Sequence, residues 1–101
     1  MSDTPESRLA ICRESIDDVD RRLVALLNER TVVVEKIGQI KKEAQMQVYE
    51  PKREDEVYAN IAGSNAGPLP GDAVKRIFER IIDEMRKVQR EKMSANEVEK
   101  K

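Results

Sequence analysis

Apolar residues recur at alternating steps of three and four positions along the first part of the chain, from Thr4 to about Gln45. This heptad seam indicates one long, uninterrupted α-helix. Thr4 is suited to the N-cap and Pro5 to the first helical position, so the sequence also predicts where the helix begins. The seam consists of Leu9, Cys12, Ile16, Val19, Leu23, Leu26, Val33, Ile37 and Ile40.

The length of this helix and one polar interruption both indicate a partner. A helix of ~40 residues is ~60 Å long, about twice the width of a domain of ~100 residues. Two shorter helices of the same chain cannot cover such a seam, so we expect a dimer. Arg30 occupies the position where the pattern calls for an apolar residue between Leu26 and Val33. An arginine at a core position indicates an anionic group inside the assembly.

Two further helices are predicted after a short connection. The second begins at Pro51, which suits a first helical position, and ends at about Ala62. A break rich in glycine and proline follows at 63–71. Asp72 can cap the third helix, which carries an apolar stripe and ends at about Met93. The stripe residues are Val74, Ile77, Phe78, Ile81, Ile82, Met85 and Val88, and the next stripe position is Gln89.

The predicted fold is therefore all-α, with helices that are long, short and long. We assign residues 1–93 to one helical domain and expect 94–101, which lack an apolar period, to form a frayed tail. Charged residues make up 39% of the chain, which is typical of long helices with solvated outer faces. No strand pattern is present in the sequence.

Composition excludes several classes of function. The net charge of −1 and the aromatic content of 3% argue against nucleic acid and against an anionic membrane surface as partners. The chain has no apolar run long enough for a membrane span and no targeting segment at its start. A single cysteine fits a reducing compartment, so we expect a soluble, cytoplasmic protein.

The absence of histidine also restricts the chemistry. It removes the usual zinc sites, the commonest general base and the histidine-assisted nucleophiles. No glycine-rich phosphate loop is present either. We therefore expect neither a metal nor a cofactor, and a reaction that needs no proton shuttle if the protein is an enzyme.

Three cations interrupt or border the seam of the first helix. Arg30 lies within it, whereas Arg13 and Lys41 each follow a seam position by one. Arg30 and Lys41 are ~16 Å apart along the axis, so their long side chains can hold one small dianion. Arg13 is ~25 Å from Arg30 and can join them only from an antiparallel partner chain.

Each of these positions also has a simpler interpretation. Arg30 can form a buried ion pair with a glutamate, and Arg13 can extend its charged end into solvent. Lys41 can be an ordinary surface lysine, and Arg53–Glu56 a solvated run of charges. Gln89 can be a tolerated polar residue near a helix end. Spacing alone supports an anion-binding helical bundle.

Taken together, these positions resemble the all-helical class of chorismate mutase. The similarity extends from about Leu9 to Gln89, and the order and spacing of the segments make it specific. The matching segments are Arg13-Glu-Ser-Ile-Asp with Asp20, Leu26-Leu-Asn-Glu-Arg30, Ile37-Gly-Gln-Ile-Lys41, Pro51-Lys-Arg-Glu54, and Ile77-Phe-Glu-Arg-Ile-Ile with Gln89.

The resemblance implies an intertwined homodimer of three-helix subunits with two shared sites for chorismate, a small dianion. Arg30 would bind one substrate carboxylate and Arg13 of the partner chain the other. Lys41 and Gln89 would donate hydrogen bonds to the ether oxygen of the breaking C–O bond, with Lys41 also near a carboxylate.

The resemblance also assigns the remaining substrate-binding positions. Glu54 would receive the ring hydroxyl, and Glu50 would lie near the same group. Arg53 would line the pocket or hold the carboxylates. At Met85 some relatives carry a small hydroxyl residue that touches a carboxylate, and methionine cannot donate that bond.

Two other functions remain open at this stage. An isochorismate-pyruvate lyase on the same scaffold would bind a similar dianion, and local sequence does not separate the two enzymes. A non-catalytic helical dimer that senses an aromatic metabolite is the alternative from another class. Against a purely structural role, several separated polar residues interrupt apolar faces.

Overall fold

The computed structural model describes residues 3–99, with side chains to Ser94. It contains three α-helices: α1 (Pro5–Glu43), α2 (Pro51–Ser64) and α3 (Gly71–Glu99). The described residues contain no β-strand, so the predicted all-α class and the order long, short, long are confirmed. None of the described helices is both long and apolar enough to cross a membrane.

The beginning of α1 follows the sequence prediction. The Thr4 hydroxyl accepts a hydrogen bond of 3.0 Å from the backbone N–H of Ser7, which is the N-cap interaction. The carbonyl of Thr4 accepts the first helical hydrogen bond, from Arg8. Pro5 occupies the first helical position, where its missing N–H removes no helical bond.

Four helix ends differ from the prediction, and the first is the end of α1, at Glu43 instead of about Gln45. Helix α2 does not end at about Ala62 but continues through Gly63 to Ser64, and Asn65 is its C-cap in an extended conformation. Asp72 is not the cap of α3, because it lies in the first turn and pairs with Arg76 at 3.4 Å. The helix also continues past Met93 to Glu99. The frayed tail at 94–101 and the domain boundary at residue 93 stay predictions, and residues 100 and 101 lie outside the described part of the chain.

The chain divides into two compact units, and the division falls within α1 between Val32 and Val33. In the first unit the seam residues are exposed: Leu9 by 50%, Ile16 by 58% and Leu26 by 59%. The second unit contains the end of α1 with α2 and α3, and its buried apolar residues are Val34, Ile82 and Met85. Among the residues whose side chains are described, the buried apolar ones thus all belong to the second unit.

Candidate functional site

Each of the three helices contributes polar side chains to the second unit, and four of these side chains form two ion pairs, Lys41–Glu50 and Glu54–Arg86. Lys41 lies in the last turn of α1, Glu50 is the N-cap of α2 and Glu54 lies in the first turn of α2. Arg86 and Gln89 lie one turn apart on α3. We refer to these five residues as the polar cluster.

Lys41 is buried, with only 6% of its surface exposed. Its Nζ donates a hydrogen bond to the carbonyl of Val48 at 2.8 Å and pairs with Glu50 Oε1 at 2.7 Å. An ammonium group has three donors, so these two contacts leave one for a ligand. The structure thus contradicts the interpretation of Lys41 as an ordinary surface lysine.

The turn after α1 places both of these partners. The N–H of Met46 donates a hydrogen bond to the carbonyl of Lys41 at 2.7 Å. The N–H of Gln45 donates one to the carbonyl of Lys42 at 3.2 Å. This pair of bonds is a Schellman motif, which requires a left-handed residue at its centre. Gln45 supplies it with a φ of 56°. The chain reverses here, so α1 ends at Glu43 and Val48 returns to the Lys41 ammonium group.

Gln89 is the second buried polar residue, with 8% of its surface exposed. Its Oε1 atom is buried and has no hydrogen-bond partner among the described residues. Gly38 of α1 allows α3 to approach here, because a Cβ at this position would lie 3.1 Å from Gln89 Cγ. A buried amide oxygen without a partner is unfavourable unless a ligand or a water molecule satisfies it.

The Glu54–Arg86 ion pair was not predicted from the sequence. Arg86 Nε lies 2.8 Å from Glu54 Oε2 and its Nη2 lies 2.9 Å from Oε1, so the contact is bidentate. These hydrogen bonds are the main cause that raises the pKa of Arg86 above its ordinary value, and they keep the guanidinium charged. The signal in the sequence that could have indicated Arg86 is its position three residues before Gln89, which places both residues on nearly the same face of α3.

Two predicted site residues of the second unit lie outside these contacts. Arg53 is exposed, and its Nη1 pairs with Glu56 Oε1 at 3.3 Å. Met85 is buried in the core with 9% of its surface exposed. Methionine carries no polar hydrogen, so Met85 cannot donate a hydrogen bond to a ligand.

Arg13 and Arg30 belong to the first unit. Arg13 is exposed, whereas Arg30 is half-buried. The polar cluster thus contains Lys41, Glu50, Glu54 and Gln89 of the predicted residues, and it adds Arg86. Within the second unit it offers one buried cation, a buried neutral amide and two carboxylates, a donor and acceptor set suited to a small polar anion that carries a hydroxyl group.

The family model for chorismate mutase type II matches residues 12–90. The chain belongs to this family. The type II match extends across all three helices and includes every residue of the polar cluster.

Proteins similar to this type II chain carry names of the same family. The bifunctional chorismate mutase/prephenate dehydratase of Neisseria gonorrhoeae is 38% identical over 90 residues, which cover 89% of this chain. The enzyme of the same name from Aquifex aeolicus is 35% identical over 74 residues, or 69% of this chain. The chain spans 24% and 20% of the lengths of these two relatives, respectively.

Similar proteins of solved structure are closer to this chain in length than the two bifunctional relatives are. Form II of chorismate mutase from Thermus thermophilus is 31% identical with a TM-score of 0.80, and the match covers 82% of this chain and 94% of that one. Chorismate mutase from Helicobacter pylori, solved in complex with prephenate, is 30% identical with a TM-score of 0.80. That match covers 87% of this chain and 96% of the other.

Proposed function

We propose that this protein is an isomerase that converts chorismate into prephenate. The observation that carries the proposal is the pair of buried polar side chains, the Lys41 ammonium group and the Gln89 amide, the latter with an unpartnered oxygen. In this reaction a C–O bond breaks and a C–C bond forms within one molecule. No proton, electron or leaving group is exchanged, so a site without histidine is suited to it.

In the proposed mechanism Lys41 and Gln89 stabilise negative charge that develops on the ether oxygen. The third donor of Lys41 is available for that oxygen, and a half-turn of the Gln89 amide would place its NH₂ group where the unpartnered oxygen lies. Donors that are already desolvated and fixed reorganise little during the reaction. Losing one such donor typically reduces the rate by about a hundredfold or more.

In this proposal the ring hydroxyl of the substrate lies near the two carboxylates of the polar cluster, those of Glu50 and Glu54. Glu54 accepts its hydrogen bond, and Glu50 lies near the same group while it pairs with Lys41. Arg53, an exposed cation, lines the pocket or holds the carboxylates. Met85 would border the substrate from the core of the second unit, and methionine cannot donate a hydrogen bond to a substrate carboxylate.

The substrate carboxylates require the two remaining arginines. We propose that Arg30 binds one carboxylate and that the partner's Arg13 binds the other, with bidentate geometry in each case. Holding both ends of the dianion selects the reactive conformer, which removes an entropic part of the barrier. Each complete site then contains residues of two chains in an intertwined homodimer.

The exposed seam of α1 supports the dimer. Several large apolar residues are at least half exposed in the single chain, among them Leu9, Val19, Leu23 and Leu26. Exposed apolar residues that follow one face of a helix in this way mark an interaction surface.

The direct test is the conversion of chorismate by the purified protein, with prephenate quantified after its acid conversion to phenylpyruvate. Two adjacent lysines provide a matched pair of variants. Lys41→Met removes a buried donor, and we expect kcat/KM to fall by about a hundredfold. Lys42→Met removes an ammonium group that bonds to the carbonyl of Met93 at 3.1 Å, and we expect little change in kcat/KM.

Other products would contradict the proposal in distinguishable ways. Salicylate and pyruvate formed from isochorismate would indicate the lyase. Binding of an aromatic metabolite without turnover of either substrate would indicate a sensor. A cytoplasmic location stays a prediction, which fractionation of cells with an antibody against the protein would test.

A further inference from the structure

We propose that Arg86 is a positioning residue, which holds the Glu54 carboxylate in the orientation that accepts the substrate's ring hydroxyl. This inference rests on the proposed function. It adds to the reaction a residue that contacts neither carboxylate nor the ether oxygen of the substrate. It also explains why the polar cluster includes a half-buried arginine on α3.

The bidentate contact fixes Glu54 more tightly than a single hydrogen bond would. Glutamate has three side-chain torsion angles, and both of its oxygens are engaged here at 2.8 and 2.9 Å. Two parallel bonds to a planar guanidinium set the plane of the carboxylate as well as its distance. Each oxygen retains a second lone pair, so the carboxylate can still accept a hydroxyl hydrogen.

Arg86 is itself held from other directions. Its Nη1 lies 3.5 Å from Asp83 Oδ1, and its guanidinium carbon lies 5.3 Å from the centre of the Tyr49 ring. Tyr49 directly precedes Glu50, so the stacking contact joins Arg86 to the segment that leads into α2. Only 27% of the Arg86 side chain and 18% of the Glu54 side chain are exposed. An ion pair with this degree of burial is less screened by solvent than a surface pair.

The position of Arg86 on α3 links the two ends of the proposed site. Gln89 follows Arg86 by three residues, so both side chains project from neighbouring turns of one face of the helix. One rigid element thus fixes the donor for the ether oxygen and, through Arg86, the acceptor for the hydroxyl. Side chains placed by helices keep such distances more closely than side chains on loops.

A purely structural role predicts a different result. If the pair only ties α2 to α3, removing Arg86 will disturb the whole site and impair all substrates equally. If Arg86 positions Glu54, the loss will depend on the hydroxyl group. The experiment therefore compares chorismate with an analogue in which hydrogen replaces the ring hydroxyl.

We expect Arg86→Met to lower kcat/KM for chorismate by at least about tenfold, as for a misplaced hydrogen bond to a charged group. For the analogue we expect a loss of less than about twofold. In Glu54→Gln protein the additional Arg86→Met change should have little further effect on chorismate, because the two residues act as a unit. Arg80→Met is the matched control: Arg80 lies on the same helix, pairs with Glu84 at 3.0 Å, and is 72% exposed.

Equal losses with both substrates, or no loss with either, would overturn the role of Arg86 while leaving the isomerase activity established. If the unmodified protein converts neither substrate, both the proposed function and this inference are overturned. If Arg86→Met protein does not fold, Arg86→Lys protein is used in its place, because lysine retains the positive charge but cannot form the bidentate contact of a guanidinium group. The same dependence on the hydroxyl group is then expected with a smaller loss, and equal losses overturn the inference.

Discussion

At the scale of single residues, the close approach of Gly38 to Gln89 combines two features that are unfavourable for stability. An unsatisfied buried amide oxygen typically costs about 1–3 kcal/mol of folding free energy. A glycine inside a helix costs roughly 1 kcal/mol relative to alanine. Gly38 nevertheless stands within α1, where it leaves room for the Gln89 side chain. Both features are explained if the Gln89 amide has to remain in place for a ligand.

Gly38→Ala tests this explanation. The added methyl group would lie 3.1 Å from Gln89 Cγ, so the glutamine has to shift by a few tenths of an ångström. We expect kcat/KM to fall by about tenfold, because small displacements of catalytic groups reduce rates strongly. Crowding should offset the gain in helix propensity, so the thermal midpoint should change little.

Gly63→Ala is the control for this prediction. Gly63 also lies within a helix, but a Cβ there would meet nothing within 4 Å. We expect a gain in stability of up to ~1 kcal/mol and unchanged activity. Gly38→Ala protein that is as active as Gly63→Ala protein would show that the close approach has no role in the reaction.

At the scale of helices and turns, the sequence predicted the elements better than their ends. The heptad seam and the N-cap at Thr4 located α1, since both signals are local in the chain. The end of α1 was placed two residues late because Gln45 adopts a left-handed conformation that usually belongs to glycine. The cap at Asp72 was misplaced, since an acidic side chain also favours the first turn of a helix.

The turn after α1 yields a prediction of stability. A left-handed conformation costs a residue with a Cβ atom roughly 1–2 kcal/mol, and glycine avoids this cost. Glycine also gives the unfolded chain more conformational freedom, which offsets part of this gain. Gln45→Gly should therefore raise the free energy of unfolding by about 1 kcal/mol. Denaturation by urea at a fixed protein concentration measures the change.

Gln47→Gly provides the matched control in the same connection. Gln47 does not have a positive φ, so the substitution adds freedom to the unfolded chain without relieving strain. We expect a loss of roughly 0.5–1 kcal/mol. Equal changes in both variants would mean that the conformation of Gln45 is not strained.

The same distinction between local and distant signals applies to the site. Gln89 could be singled out in the sequence because it falls on the apolar stripe of α3, and Lys41 because it follows a seam position of α1 by one. Their roles in a site were implied only by the resemblance to the family and stay predictions. The Glu54–Arg86 pair could not be predicted, because the two residues are distant in sequence and charged residues are common throughout this chain. Arg53 directly precedes Glu54 in the sequence, but its side chain lies on another face of α2 and pairs with Glu56.

At the scale of the whole molecule, the exposed seam supports the proposed dimer, and the proposed roles of Arg13 and Arg30 require it. In a symmetric dimer each chain gives and receives the same contacts, so one shared site implies a second. Light scattering should therefore show a dimer at micromolar concentration. A folded monomer there would contradict the proposed sharing of sites.

The strictest test of shared sites uses two inactive chains. Arg13→Ala and Arg30→Ala chains, each alone, lose one carboxylate contact in both sites and should be nearly inactive. When they are co-expressed with different affinity tags, each heterodimer has one site with both arginines and one with neither. We expect the purified heterodimer to recover up to about half of the parent's activity. A heterodimer of two differently tagged Arg13→Ala chains is the control and should stay inactive. If the mixed heterodimer is as inactive as this control, both arginines serve one site from the same chain, and the proposed exchange of Arg13 between subunits is wrong.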